Sequence, residues 1–184
     1  METTVLTARD GTAILVRRLA AGDGPALRAF NDALSDASRN LFLPHAYDHP
    51  TLDRIIARAD GGIDQTYIAL CADVVVGYFF LWDFNDPVPV LGIGIADAWQ
   101  GQGLGQQFLD ILIRDARASG RDGVELTTVP DNERAFALYR SLGFAHTGDT
   151  DNIAGDGRVV RERVMFLALK PGATPPSRVF KPPV

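Results

Sequence analysis

The segment Gly92-Ile93-Gly94-Ile95-Ala96-Asp97-Ala98-Trp99 runs into Gln100-Gly101-Gln102-Gly103-Leu104-Gly105 and then, without a spacer, into a long periodic stretch. Its first part belongs to a strand over Val88 to Ala96. Residues 104–118 place Leu104, Phe108, Ile111, Leu112 and Ala118 near a 3.6-residue period and end before Gly120, which predicts a helix. Glycines spaced this closely between a strand and a helix let backbone N–H groups converge, and the helix start adds unpaired N–H groups and the positive end of its dipole. Such a turn suits a phosphate or pyrophosphate. A P-loop reading fails, because Gln106-Gln107 follows Gly105 where Lys-Ser/Thr would be required. A dinucleotide fingerprint places Gln106 at its third glycine; Glu125 lies at a suitable distance for a ribose-binding acid, so this reading stays open as an alternative. The hairpin that precedes the glycines argues against it.

Upstream, Thr12 to Arg17 reads as a strand and Asp23 to about Leu34 as a helix entered through Gly24-Pro25. Arg39 to Asp48 has no clean period and reads as a loop, followed by a short helix from Thr51 to Ala59. Gln65 to Cys71 and Val74 to Phe84 form a hairpin around a tight turn at Ala72-Asp73, and Asn85-Asp86-Pro87 turns the chain into the Val88 strand. The glycines at 92 and 94 weaken that strand unless its backbone must stay open. Downstream, Val124 to Val129 is a strand, and Pro130-Asp131 starts a helix whose face is Ala135, Leu138, Tyr139 and Leu142. Gly143-Phe144 closes it as a Schellman stop. Strands at Phe144 to Gly148 and Val159 to Leu169 flank a polar loop, and the tail after Leu169 is expected to lie extended.

The chain has 184 residues and a net charge of -5, which fits one domain over residues 1–169 with a basic, proline-rich tail at 170–184. That tail holds both lysines and five of the 11 prolines, leaving 15 arginines against 23 acids in the body. An acidic body argues against nucleic acid as a partner, and the absence of lysine from it excludes Schiff-base and P-loop chemistry. The longest apolar run, Val74 to Trp82, is too short to span a membrane, and the Met1-Glu2-Thr3 start lacks a signal pattern. Cys71 stands alone and reads as core filler; no Cys/His cluster has metal-ligand spacing, so no metal is expected. A cytoplasmic setting is expected.

Gln100-x-x-Gly103-x-Gly105 resembles the pyrophosphate loop of the GNAT superfamily of acetyl-CoA-dependent N-acetyltransferases. A second segment, Asn132-Glu133-Arg134-Ala135-Phe136-Ala137-Leu138-Tyr139-Arg140-Ser141-Leu142-Gly143-Phe144, resembles the family's N-x-x-A-x-x-x-Y-x-x-x-G-F motif, and the order of elements agrees over residues 12–169. The resemblance implies an α/β (α+β) fold: a mixed, mostly antiparallel sheet flanked by helices, opening between the Gly92-Ile93-Gly94-Ile95 strand and the Glu125-Leu126-Thr127-Thr128 strand. It implies acetyl-CoA as co-substrate, with the backbone of Ile93, Gly94 and Ile95 along the pantetheine arm. The amides of Gly101, Gln102, Gly103, Leu104, Gly105 and Gln106 would sit on the pyrophosphate, with Gln100 opening the loop. Asn132 would contact the arm and Tyr139 would face the departing thiolate as general acid.

The base is less clear from the same resemblance. Relatives acting on protein N-termini carry glutamate twelve residues before the tyrosine, where this chain has Thr127. Glu125, on the same strand face, is the candidate that would act through water, with Asp83 and Asp97 as outsiders. The family's acceptor site implies residues 23–64 and the strand-end loops, hence Phe42, His45, Tyr47 and Asp83 as candidate contacts for a small amine, with a protein N-terminus or lysine as the competing acceptor. A sensor that binds acyl-CoA without turnover is the reading outside catalysis. Family members often dimerise, and a homodimer is compatible with the resemblance.

Overall fold

The computed structural model describes residues 3–184; Met1 and Glu2 lie outside the described residues. Eight strands form one sheet: β1 (Thr3–Thr7), β2 (Ala13–Arg18), β3 (Gln65–Cys71), β4 (Val74–Trp82), β5 (Val90–Ile95), β6 (Gly123–Thr128), β7 (Ala145–Ile153) and β8 (Val159–Ala168). Five helices accompany them: α1 (Gly24–Ala33), α2 (Asp36–Leu41), α3 (His49–Asp60), α4 (Leu104–Ala118) and α5 (Glu133–Ser141). The spatial order is β1-β2-β3-β4-β5-β6-β8-β7, antiparallel throughout except for β5 beside β6, which α4 connects.

The sheet carries a core on each face. Val76, Phe79 and Leu81 of β4 join α4 on one side, whereas Val75, Tyr78, Phe80 and Trp82 join α1 and α3 on the other. A strand buried on both faces has no need of polar alternation, which is why β4 is nearly all apolar. Phe79 stacks on Phe108 of α4 at 4.2 Å between centroids, and Phe80 stacks on Trp82 at 4.0 Å. Gly77 is required by the first stack, since a Cβ there would meet the Phe108 ring at 2.6 Å.

Several local expectations hold in detail. The β3–β4 turn has both Ala72 and Asp73 at positive φ, the geometry that matches the twist of a two-residue hairpin. Phe144 N–H bonds the Tyr139 carbonyl while Gly143 takes φ 94°, so α5 ends in the Schellman pattern. Others are corrected. α2 replaces part of the expected loop, capped by Ser35, whose hydroxyl accepts from Ser38 N–H at 3.2 Å. β7 runs through most of the expected polar loop, because an edge strand with both faces wet shows no alternation to read. β1 is an additional exposed edge strand. The tail is not simply extended: it returns to the sheet and buries Phe180 against β7. Cys71 is half-buried at the end of β3, short of core filler. Among the described residues no helix is long and apolar enough to cross a membrane.

Candidate active site

β5 and β6 are in register only at Val90 and Glu125, after which they diverge. The divergence leaves the β6-facing backbone edge of Leu91 to Ile95 open, and a cavity of about 520 Å³ fills the gap on the α4 side. The loop before α4 closes its far end, with Gly101 and Gly103 at φ 81° and 79°, conformations that an L side chain resists. Gln100 anchors this loop: its amide donates to the Ile95 carbonyl and to Ser38 Oγ. Of the residues proposed for the pyrophosphate loop, Gly101, Gly103, Leu104, Gly105 and Gln106 line the cavity, as do Ile93, Gly94, Ile95, Asn132 and Tyr139. Gln102 does not line it; its carbonyl instead accepts from Arg9 N–H. Asn132 also caps α5, its side-chain oxygen accepting from Ala135 N–H at 3.2 Å.

Sequence reasoning missed two cations here. Arg9 and Arg134 both line the cavity, and an Arg134 guanidinium nitrogen lies 3.6 Å from the position of a Cβ built on Gly101. Arg134 sits in the first turn of α5, two residues after the Asn132 cap, a placement that could have flagged it. A cavity with an open strand edge, a glycine-rich helix start and two arginines in its lining fits a pantetheine arm ending in phosphates.

The glycines at 92 and 94 have a reason not anticipated from the sequence. A Cβ at Gly92 would fall 2.2 Å from the Phe80 ring, and one at Gly94 would fall 2.3 Å from the Phe42 ring. Both rings cover the β5 backbone from the face of the sheet that packs on α1 and α3. There they border a second cavity of about 690 Å³, walled also by Trp82, Asp83, the β7–β8 turn and residues 178–184. Leu41, Phe42, Leu91, Gly92 and Thr127 line both cavities, so the two meet at the splay from opposite faces.

No carboxylate is among the described residues lining the α4-side cavity. Tyr139 lines it with its ring packed on Phe144, and burial pushes its hydroxyl up to about 12. Glu125 is buried outside both linings, 3.0 Å from Arg178, and burial raises its carboxyl while that guanidinium lowers it. Asp97 is held below the usual carboxylate range by hydrogen bonds from Ser38 and from Ser35. Asp83 borders the second cavity paired to Arg58 at 2.7 Å. Glu162, not foreseen, borders the same cavity; Asn152 donates to it at 2.8 Å and to Thr127 Oγ1 at 3.2 Å, tying it to the shared wall.

Of the proposed acceptor contacts, Phe42 and Asp83 reach the second cavity, whereas His45 and Tyr47 are core side chains that line neither. His45 Nδ1 donates to the Ala46 carbonyl at 2.7 Å, so Nε2 accepts from Tyr78 at 3.0 Å and the ring is neutral. Burial lowers its pKa to about 4. The unfolded chain, near ~6.5, therefore takes up the proton first, so this contribution is complete above that pH and fades as pH falls toward 4. Urea denaturation is expected to show wild type losing about 3 kcal/mol more than His45→Gln between pH 7 and pH 4.

The comparisons with known proteins agree with this architecture. The GNAT domain of S. lividans PAT superposes with a TM-score of 0.74, at 19% identity over 91% of this chain and 97% of that one. The yncA structure from Salmonella typhimurium, which holds acetyl-CoA, gives 0.68 at 20% identity over 97% of this chain and all of that one. Among curated proteins, mycothiol acetyltransferase of Nocardia farcinica is 31% identical over 139 residues, 67% of this chain and 46% of that protein, so the chain spans about half the length of that relative. N-alpha-acetyltransferase RimI of Mycobacterium tuberculosis is 43% identical over 56 residues, 30% of this chain and 34% of its own. The profile of the acetyltransferase (GNAT) family matches residues 27–144, and with the splayed sheet and glycine loop in place the chain belongs to that family.

Proposed function

We propose that this protein transfers an acetyl group from acetyl-CoA directly to the amine of a small cationic molecule such as an amino acid, aminosugar or polyamine. The observation that carries this reading is the meeting of two cavities at the β5–β6 splay, one shaped for an elongated donor and one on the opposite face for an acceptor. The acceptor-side space is walled by Phe42, Trp82 and the β7–β8 turn, which favours a compact molecule over a protein surface. Trp82 suits a cation by its ring quadrupole, and Glu162 adds a carboxylate to a lining that also holds Arg39, Arg158, Arg178 and Lys181. The protein acetyltransferases among the relatives keep a protein N-terminus or lysine as the competing acceptor.

In the reaction, the amine nitrogen attacks the thioester carbon, the carbon–sulfur bond breaks with its electron pair going to sulfur, and the proton that the acylated nitrogen sheds ends on that sulfur, giving an amide and a free thiol. The attacking ammonium must first lose a proton, because its pKa near ~10 leaves little free amine at pH 7. Tyr139 keeps its proton throughout the neutral range and donates a charge-assisted hydrogen bond to the departing sulfur. The Ile95 N–H is the candidate to steady the oxyanion.

The test is calorimetric titration with acetyl-CoA, followed by thiol release across a panel of primary amines. Saturable binding with amine-dependent thiol release supports the reading. Binding without release from any amine favours a non-catalytic acyl-CoA sensor, and no binding rejects both.

A further inference from the structure

The segment from Arg178 to Val184 crosses the acceptor-side cavity. Phe180 is buried, bridges Asn152 in parallel, and its carbonyl accepts from Ile153 N–H at 3.2 Å; Val184 packs on the α1/α3 core. Arg178 donates to the Val88 carbonyl at 2.5 Å and places Nε 3.0 Å from Glu125 Oε2. Arg178 lines the cavity and Glu125, behind it, does not. The guanidinium therefore stands between a buried carboxylate and the space an acceptor would enter.

That contact is poorly made. It lacks hydrogen-bond alignment, and both Glu125 Oε2 and Arg178 Nε are buried without a hydrogen-bond partner among the described residues. A buried pair left unsatisfied at both atoms recovers little of its desolvation cost, so the contact is easy to exchange for a better one. An alkylammonium offers three freely oriented donors and could make to Glu125 Oε2 the aligned hydrogen bond that Arg178 does not. The segment that carries Arg178 contains a further base, Lys181, and no acid.

We propose that residues 178–184 form a displaceable strap over the acceptor cavity, in which Arg178 occupies, against Glu125, the place of the acceptor's ammonium group. The proposal rests on the acetyl-transfer reading above. Entry of a cationic amine exchanges one cation for another at Glu125 and frees the strap. The exchange also explains how a carboxylate that lines neither cavity can meet substrate: Arg178 covers it until substrate arrives.

The experiment compares the full chain, a chain ending at Ser177, and the free peptide Arg178–Val184 bearing a fluorophore on an added N-terminal linker. With cooperative melting established for both chains, the peptide is expected to bind the shortened chain at least tenfold more tightly than the full chain, and Glu125→Gln to weaken that binding at least tenfold. Thiol release with amines is expected to rise about tenfold on shortening and to fall again as peptide is added. A folded shortened chain that ignores the peptide, or a peptide that raises thiol release, overturns the strap. Should the shortened chain not fold, full-length Phe180→Asp, which expels the strap and leaves Glu125 intact, is tested by the same criteria. Peptide binding that depends on Glu125, without thiol release from any chain, supports the strap and rejects the acetyl-transfer reading.

Discussion

Tyr139→Phe is expected to lower kcat about 100-fold, with KM for acetyl-CoA changing less than about threefold, as read by thiol release at saturating amine. The substitution removes one oxygen and keeps the ring, so the packing of Tyr139 on Phe144 survives and the fold is undisturbed. What is lost is a hydrogen-bond donor that stays protonated throughout the neutral range, since burial pushes the hydroxyl up to about 12. A donor of this kind matters little to bound thioester and much to a sulfur gaining negative charge, so its loss falls on kcat. A 100-fold decrease corresponds to about 2.7 kcal/mol of transition-state stabilisation. Glu125→Gln is expected to cost less, because that carboxylate does not line the α4-side cavity. Equal turnover of Tyr139→Phe and wild type would remove the tyrosine from the chemistry.

The second large effect is expected at the glycine loop. Gly103→Trp should weaken acetyl-CoA at least 100-fold in calorimetry while the protein still melts cooperatively. A Cβ at Gly103 meets nothing within 4 Å, so an indole there enters open space at the rim of the cavity and leaves the core alone. The local penalty is backbone strain, since φ is 79° and an L residue in that region loses about 1–2 kcal/mol. A melting temperature lowered by a few degrees with binding abolished would locate the donor at this loop. Unchanged affinity would place the donor elsewhere.

How much of this was legible beforehand depended on distance along the chain. The Gly101 to Gly105 loop and α4 announce themselves locally, one by glycine spacing and the other by a strong apolar period. The Schellman stop at Gly143 is equally local. The splay itself is not: nothing in β5 or β6 alone says that pairing ends after Val90 and Glu125. The Asn132 and Tyr139 pair was placed through resemblance, and its position on the cleft follows from the helix period. His45 and Tyr47 are expected at the acceptor because the resemblance points to residues 23–64 and their stretch has no period, yet both are buried in the core. Their burial comes from Tyr78, more than thirty residues away, which supplies the partner for the His45 ring. Arg178 and Glu125, 53 residues apart, likewise meet only because the tail folds back, and a proline-rich basic terminus carries no signal of where it docks.

The rings of Phe80 and Phe42 cover Gly92 and Gly94 of β5, and Leu91 and Gly92 of that strand line both cavities. A side chain added at either glycine would push one of these rings toward the acceptor space. On the proposed reading, the strand whose backbone edge faces the donor also sets the width of the acceptor space, so a methyl group added at either glycine is expected to narrow which amines fit while leaving the glycine loop before α4 untouched.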